Sequence, residues 1–196
     1  MPDPLTLIEL LRAGTRAHHD RVEAVGFGKE LMDGTIDLDR YRRLIAAQAG
    51  VHARLEPELL SFRTTVSGTA ESPPYRYQSR GPALHRDLAA LGLPLPSAPQ
   101  PENTLEPYRL LARAYVLDGA SLGGSAIYRA LRQHRGADFT PDMMNFYAFQ
   151  SRTGRQQWAA LLPVLRQTRV GEEQAAEAVA EARGVFDLFA AAFTGE

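Results

Sequence analysis

The sequence predicts an all-α protein folded as a single-domain helical bundle. Apolar residues recur at three- and four-residue spacing through several long segments, which puts them on one helix face. No segment alternates β-branched and polar residues with period two, as a half-buried strand does. The punctuation is also helical, with Asp or Thr ahead of apolar runs and Pro107 and Pro141 at first-turn positions. A chain of 196 residues fits one such domain, taken here as 1–196, and is long enough to bury a substantial core.

The elements follow in order. Leu5 to Val25 carries Leu5, Ile8, Leu11, Thr15, His18 or His19, and Val22 at helical spacing, and Gly26 and Gly28 end it. A second helix opens at Asp37 or Asp39 and buries Tyr41, Leu44, Ile45, Gln48, Val51, His52, Leu55 and Leu59. Pro57 is expected to kink or divide it near Glu56. Thr64 to Arg80 reads as a loop, Pro82 to Leu91 as a short helix, and the five prolines from Pro94 to Pro107 as a stiff connector. A glycine-bearing helix runs from Pro107 to about His134. Thr140 and Pro141 then read as N-cap and first residue of a helix that Gly154 weakens. The last helix, Glu172 to Phe193, has two acids in its first turn, where the helix dipole favours them.

Composition narrows the function. A net charge of -1 without a basic run argues against a nucleic-acid partner. With no cysteine there is no disulfide, thiolate metal site, iron–sulfur cluster or Cys nucleophile. The N-terminus lacks a basic segment ahead of its apolar run. The longest apolar run, Trp158 to Leu165, is far short of the roughly 20 residues that span a bilayer. The expectation is a soluble, cytoplasmic protein with no membrane partner.

The stretch Tyr115 to Tyr128, YVLDGASLGGSAIY, carries the chemistry. A glycine inside a helix costs roughly 1 kcal/mol relative to alanine, so Gly119, Gly123 and Gly124 need a reason. Close approach supplies one, and the partner is either another helix or a planar ligand lying on bare backbone. In the first segment, Arg12, Thr15, His19 and Glu23 are spaced by three, four and four. They share one stripe, with a carboxylate one turn from the imidazole. His18 and His19 both border the apolar stripe, and periodicity does not choose between them. No Glu is followed three residues later by His, which argues against a di-iron bundle.

The segment LLRAGTRAHHDRVE resembles the proximal helix of heme oxygenases, its T-x-x-x-H-x-x-x-E pattern falling on Thr15, His19 and Glu23. YVLDGASLGGSAIY resembles their distal helix, with the G-x-x-x-G-G core on Gly119, Gly123 and Gly124. GRQQWAALLPVL resembles a later helix of bacterial members. Order and separation match across most of the chain.

The resemblance implies heme held between two helices as both cofactor and substrate. His19 would then be the metal ligand. Arg12 would meet one propionate, a role that suits a guanidinium, and Arg152 or Arg155 the other. Thr15, Glu23 and Tyr115 would complete the binding site. It further implies that Gly119, Gly123 and Gly124, with Ser121, steer bound O2 towards the ring. Biliverdin, carbon monoxide and ferrous iron would result, with electrons from an external reductase or ferredoxin. Iron acquisition and supply of biliverdin to a phytochrome are both compatible with it. One departure stands out: animal members have an aspartate after the first distal glycine, and this chain has Ala120. That puts the proton route in question, and a water network held by backbone or by Ser121 is the expected substitute. The competing readings are a non-catalytic heme carrier or sensor on this fold, and a heme-free helical binding or interaction protein.

Overall fold

The computed structural model describes residues 5–62, 75–97, 105–133 and 139–195, and within them the chain is helical with no named strand. Helix α1 (Leu7–Val25) starts at a capping box. The Thr6 hydroxyl accepts the Glu9 N–H, and the Glu9 carboxylate accepts the Thr6 N–H at 2.8 Å. Leu7, Ile8, Leu11 and Thr15 form its buried face, whereas Leu5 is exposed. The helix ends at Gly26 as expected. A one-and-a-half-turn helix, α2 (Gly28–Asp33), follows, which the pair of glycines had hidden.

Helix α3 (Leu38–Ser61) is capped by Asp37, whose carboxylate accepts the Arg40 N–H at 2.8 Å. It remains one helix through Pro57, so the expected division near Glu56 is absent. Burial of Leu55, Glu56 and Leu59 around the proline holds this turn in place. Helix α4 (Gly81–Ala90) lies against α3.

The glycine-bearing segment departs from the continuous helix expected. Helix α5 (Pro107–Ala120) stops, Ser121–Gly123 form one turn of 3-10 helix, and α6 (Gly124–Gln133) resumes. His134 lies outside the described residues. Thr140 makes no side-chain cap; Pro141–Met143 form a 3-10 turn, and α7 (Asn145–Gln167) begins after it. Its cap comes from α4, where Asp87 accepts the N–H groups of Asn145 at 2.6 Å and Phe146 at 2.8 Å. Gly154 lies inside an unbroken α7.

Helix α8 (Glu172–Thr194) packs on α1, α3 and α5. Arg113 of α5 donates to Glu181 of α8 at 2.8 Å and also pairs with Glu58 of α3. One apolar cluster joins α5, α7 and α8 with the start of α1, the second half of α3, and Tyr75 and Tyr77. A second joins α2, α3 and α4 with the start of α7. Tyr75, Tyr77 and Arg80, expected in a loop, are deeply buried, the two tyrosines within the first cluster. No helix among the described residues is long and apolar enough to cross a membrane.

Candidate functional site

A cavity of about 180 Å³ lies where α1, α3, the α5–α6 segment, α7 and α8 converge. It is lined by Val22 and Glu23 of α1 with Gly26 just after it, and by Val116, Leu117, Ala120 and Ile127 of the α5–α6 segment. Phe186, Phe189 and Phe193 of α8 and Phe146 of α7 complete its apolar wall. The polar groups in this mainly apolar wall are Glu23, Gln48, His52, Tyr147 and Gln150.

His19 precedes Val22 by three residues and Glu23 by four, so it projects along the face of α1 that borders the cavity. Its ring meets the edge of Phe186, a cavity residue, with centroids 5.9 Å apart. The side chain is 54% exposed, and Nδ1 lies 3.8 Å from both the Glu23 and Asp20 carboxylates, beyond hydrogen-bond reach. His18 turns aside towards α8, its Nε2 3.8 Å from Asp187. Of the expected stripe, only Thr15 is buried, and its hydroxyl donates to the Leu11 carbonyl at 2.7 Å. Arg12 is exposed.

The three distal glycines do different things. An added Cβ at Gly124 would lie 2.5 Å from Gln150 Cβ, so this glycine serves the contact between α6 and α7. At Gly119 a Cβ would sit 3.6 Å from the Trp158 ring, ordinary contact distance. At Gly123 it would meet only Ile127, its own helical neighbour, at 3.8 Å. Gly123 and Ala120 are exposed and, with Val116 and Ile127, fall on one stripe. Of this stripe Val116, Ala120 and Ile127 line the cavity; Gly123 shares their face but is not itself part of the wall.

Other expected residues lie elsewhere. Ser121 is buried behind the distal segment; its hydroxyl donates to the Leu117 carbonyl at 3.2 Å and accepts from Arg80 at 3.1 Å. It cannot present that hydroxyl to the cavity, which corrects its expected role. Tyr115 packs on Trp158 with centroids 5.8 Å apart and does not line the cavity. Arg152 and Arg155 are exposed on α7, and neither forms an ion pair with a described residue.

The residues missed are on α3. His52 is buried, and its ring packs edge-on against Phe146 and Phe189. Its Nδ1 is 3.0 Å from Glu56 Oε1, and burial lowers its pKa despite that carboxylate. Burial alone would raise the Glu56 pKa, yet hydrogen bonds from His52, Ser79 and the Arg80 N–H hold it down to about 2. His52 is therefore neutral and Glu56 ionised near neutral pH, which makes Nδ1 the donor. His52 lines both the main cavity and a second one beyond α3; Glu56 lines only the second, and with Nδ1 engaged by Glu56 the ring nitrogen left without a partner among the described residues is Nε2. Gln48, one turn earlier, shares this face. A Q-x-x-x-H-x-x-x-E run along α3 was the available signal.

α1 and the α5–α6 segment thus contribute to one apolar cavity, Val22 and Glu23 from the first and Val116, Leu117, Ala120 and Ile127 from the second, and the chain as a whole meets a direct match. The heme oxygenase family model covers residues 5–195. The chain belongs to the heme oxygenase family, a family of enzymes. A protein named heme oxygenase from Xanthomonas campestris pv. campestris is 28% identical over 159 residues, covering 81% of this chain and 92% of that one. Heme oxygenase-1 from the cyanobacterium Synechocystis, solved in complex with heme, shares the fold at a TM-score of 0.67 and 20% identity, over 97% of this chain and 92% of that one. The enzyme from Neisseria meningitidis, solved with NO and CO bound, gives a TM-score of 0.69 and 19% identity with the same coverage. The enzyme from Leptospira interrogans gives 0.63 and 21% identity, over 98% and 100% of the two chains.

Proposed function

We propose that the cleft between α1 and the distal segment takes heme as cofactor and substrate. The chain then cleaves the macrocycle with O2 to biliverdin, carbon monoxide and ferrous iron, drawing electrons from an external reductase or ferredoxin. The observation that carries this reading is the shared cavity: Val22 and Glu23, one turn beyond His19 on α1, and Ala120, one turn before Gly123 in the distal segment, line one apolar space. Heme, when bound, supplies the iron that activates O2 and the ring that is cut. His19 would hold the iron, a neutral imidazole giving less electron push than a thiolate. Arg12 and either Arg152 or Arg155 have exposed guanidinium groups suited to bidentate contact with propionates.

At about 180 Å³ the cavity is below the roughly 300–1,000 Å³ of most small-molecule pockets. Heme entry therefore parts its walls, with Phe186, Phe189 and Phe193 as the movable side chains on α8. Once seated, these rings exclude water from the reacting edge. The absence of a carboxylate at position 120 is met from α3 and α7: Nε2 of His52, with Gln48 and Gln150, holds and orients cavity water in its place.

A carrier or sensor is the second reading, and Ala120 is the observation that favours it. Heme-loaded protein given an electron donor under air decides between them. A growing biliverdin band with release of carbon monoxide supports the enzyme, whereas an unchanged heme spectrum supports the carrier.

A further inference from the structure

We propose that Arg80 is the positioning residue of the distal segment: from behind, it ties the last turn of α5 to the first residue of the 3-10 turn and so fixes how the backbone at Ala120 lies along the cavity. Its consequence for the reaction rests on the reading of that cavity as the heme site.

Arg80 and Asp118 are 1% and 0% exposed, an ion pair withdrawn from water. Desolvation offsets much of the attraction in such a pair, and an apolar pair of similar volume often serves stability as well. Stability alone is therefore a weak reason for it, and its placement offers a better one. The same Arg80 Nη2 donates to Asp118, in the last turn of α5, and at 3.1 Å to the hydroxyl of Ser121, the first residue of the 3-10 turn. Tyr75 donates to the other Asp118 oxygen at 2.7 Å. Arg80 itself is held at both ends. Its backbone N–H donates to Glu56 at 2.7 Å, Nη1 donates to the Gln78 carbonyl at 2.8 Å, and the guanidinium lies 4.4 Å over the Tyr77 ring.

Behind the break, Gly154 of α7 abuts Ser121 so closely that a Cβ there would lie 2.6 Å from the Ser121 carbonyl oxygen. The distal segment is thus clamped on its outer side, and Ala120 on its inner side is left to line the cavity. Glu56 links this clamp to the cavity wall, because the carboxylate that holds the Arg80 backbone also receives His52 Nδ1. A backbone fixed in this way fixes which part of a planar ligand lies beneath it.

Two variants test this. Ser121→Ala removes the anchor within the break and keeps the ion pair. Arg80→Met with Asp118→Leu removes the whole pair without orphaning a charge. Leu165→Ala, a core substitution remote from the cavity, serves as a control of lowered stability. In the heme-free protein, amide exchange at 121–124 should quicken about tenfold in Ser121→Ala while α1 and α8 keep their rates. In the heme-loaded protein, the C–O stretch of the ferrous carbon monoxide complex should shift or broaden, and the product should spread over more than one biliverdin isomer. Leu165→Ala should show none of these local changes. If the paired variant does not fold, Ser121→Ala decides alone. Wild-type exchange and an unchanged C–O band in Ser121→Ala, or equal changes in Leu165→Ala, would overturn the proposal. If wild-type protein takes up no heme, the heme reading fails, and the exchange measurement still decides whether Arg80 holds the segment.

Discussion

Nδ1 of His52 lies 3.0 Å from Oε1 of Glu56, and that carboxylate also accepts from the Tyr77 hydroxyl at 3.0 Å, the Ser79 hydroxyl and the Arg80 N–H. One acid on α3 thereby organises both a cavity-lining imidazole and the segment that clamps the distal break.

The pH dependence of stability follows from this hub. Glu56 is depressed from 4.5 to about 2, so its contribution is complete above pH 4.5 and is lost as pH falls towards 2. At roughly 1.4 kcal/mol per pH unit this amounts to about 3 kcal/mol. His52 acts in the same direction: burial lowers its pKa, so charging it opposes folding below about pH 6.5. Denaturant unfolding from pH 2 to 8 should show Glu56→Gln less stable at pH 7 and flatter between pH 4.5 and 2. An unaltered acid limb would contradict the assignment.

Asp87 has the opposite sign. Burial raises its pKa to about 6 against the pull of the Phe146 and Asn145 N–H groups and the Asn145 side chain. Its folded-state pKa exceeds the unfolded 3.8, so stability is higher in acid and falls as pH rises through 6. Asp87→Asn keeps one acceptor for two N–H groups. It should cost about 1–2 kcal/mol at pH 7 and remove the slope between pH 4 and 6, read by the same titration.

The glycines separate stability from binding. Gly124→Ala and Gly154→Ala force α6 and the 3-10 turn off α7 and should each lower stability by about 1–3 kcal/mol. Gly123→Ala meets only Ile127 and should leave the melting temperature unchanged or slightly raised, while weakening heme uptake at least tenfold. Thermal melts paired with heme titrations check both halves; a Gly123→Ala protein that binds like wild type would remove this glycine from the site.

What the sequence revealed was local. The apolar stripe of α1, the Asp37 cap and the face of α3 were all visible as spacing, and His52 was placed correctly on that buried face. What it hid was tertiary. The cap of α7 comes from Asp87 on another helix, so Thr140 drew the assignment in its place. Arg80 sits in a stretch whose composition reads as loop, and its burial depends on Asp118, 38 residues away. The glycine motif marked the right segment, but spacing could not tell that Gly124 packs on Gln150 of α7 while Gly123 is exposed and meets only Ile127 of its own helix. Ser121 drew a catalytic role by its position in that motif, and only the fold turned it outward.

His19, and not its neighbour His18, is the proposed iron ligand. Heme titrated into wild-type, His18→Ala and His19→Ala proteins tests it most directly. The Soret band should form in the first two and be lost or shifted in the third. A normal band in His19→Ala together with its loss in His18→Ala would contradict the account.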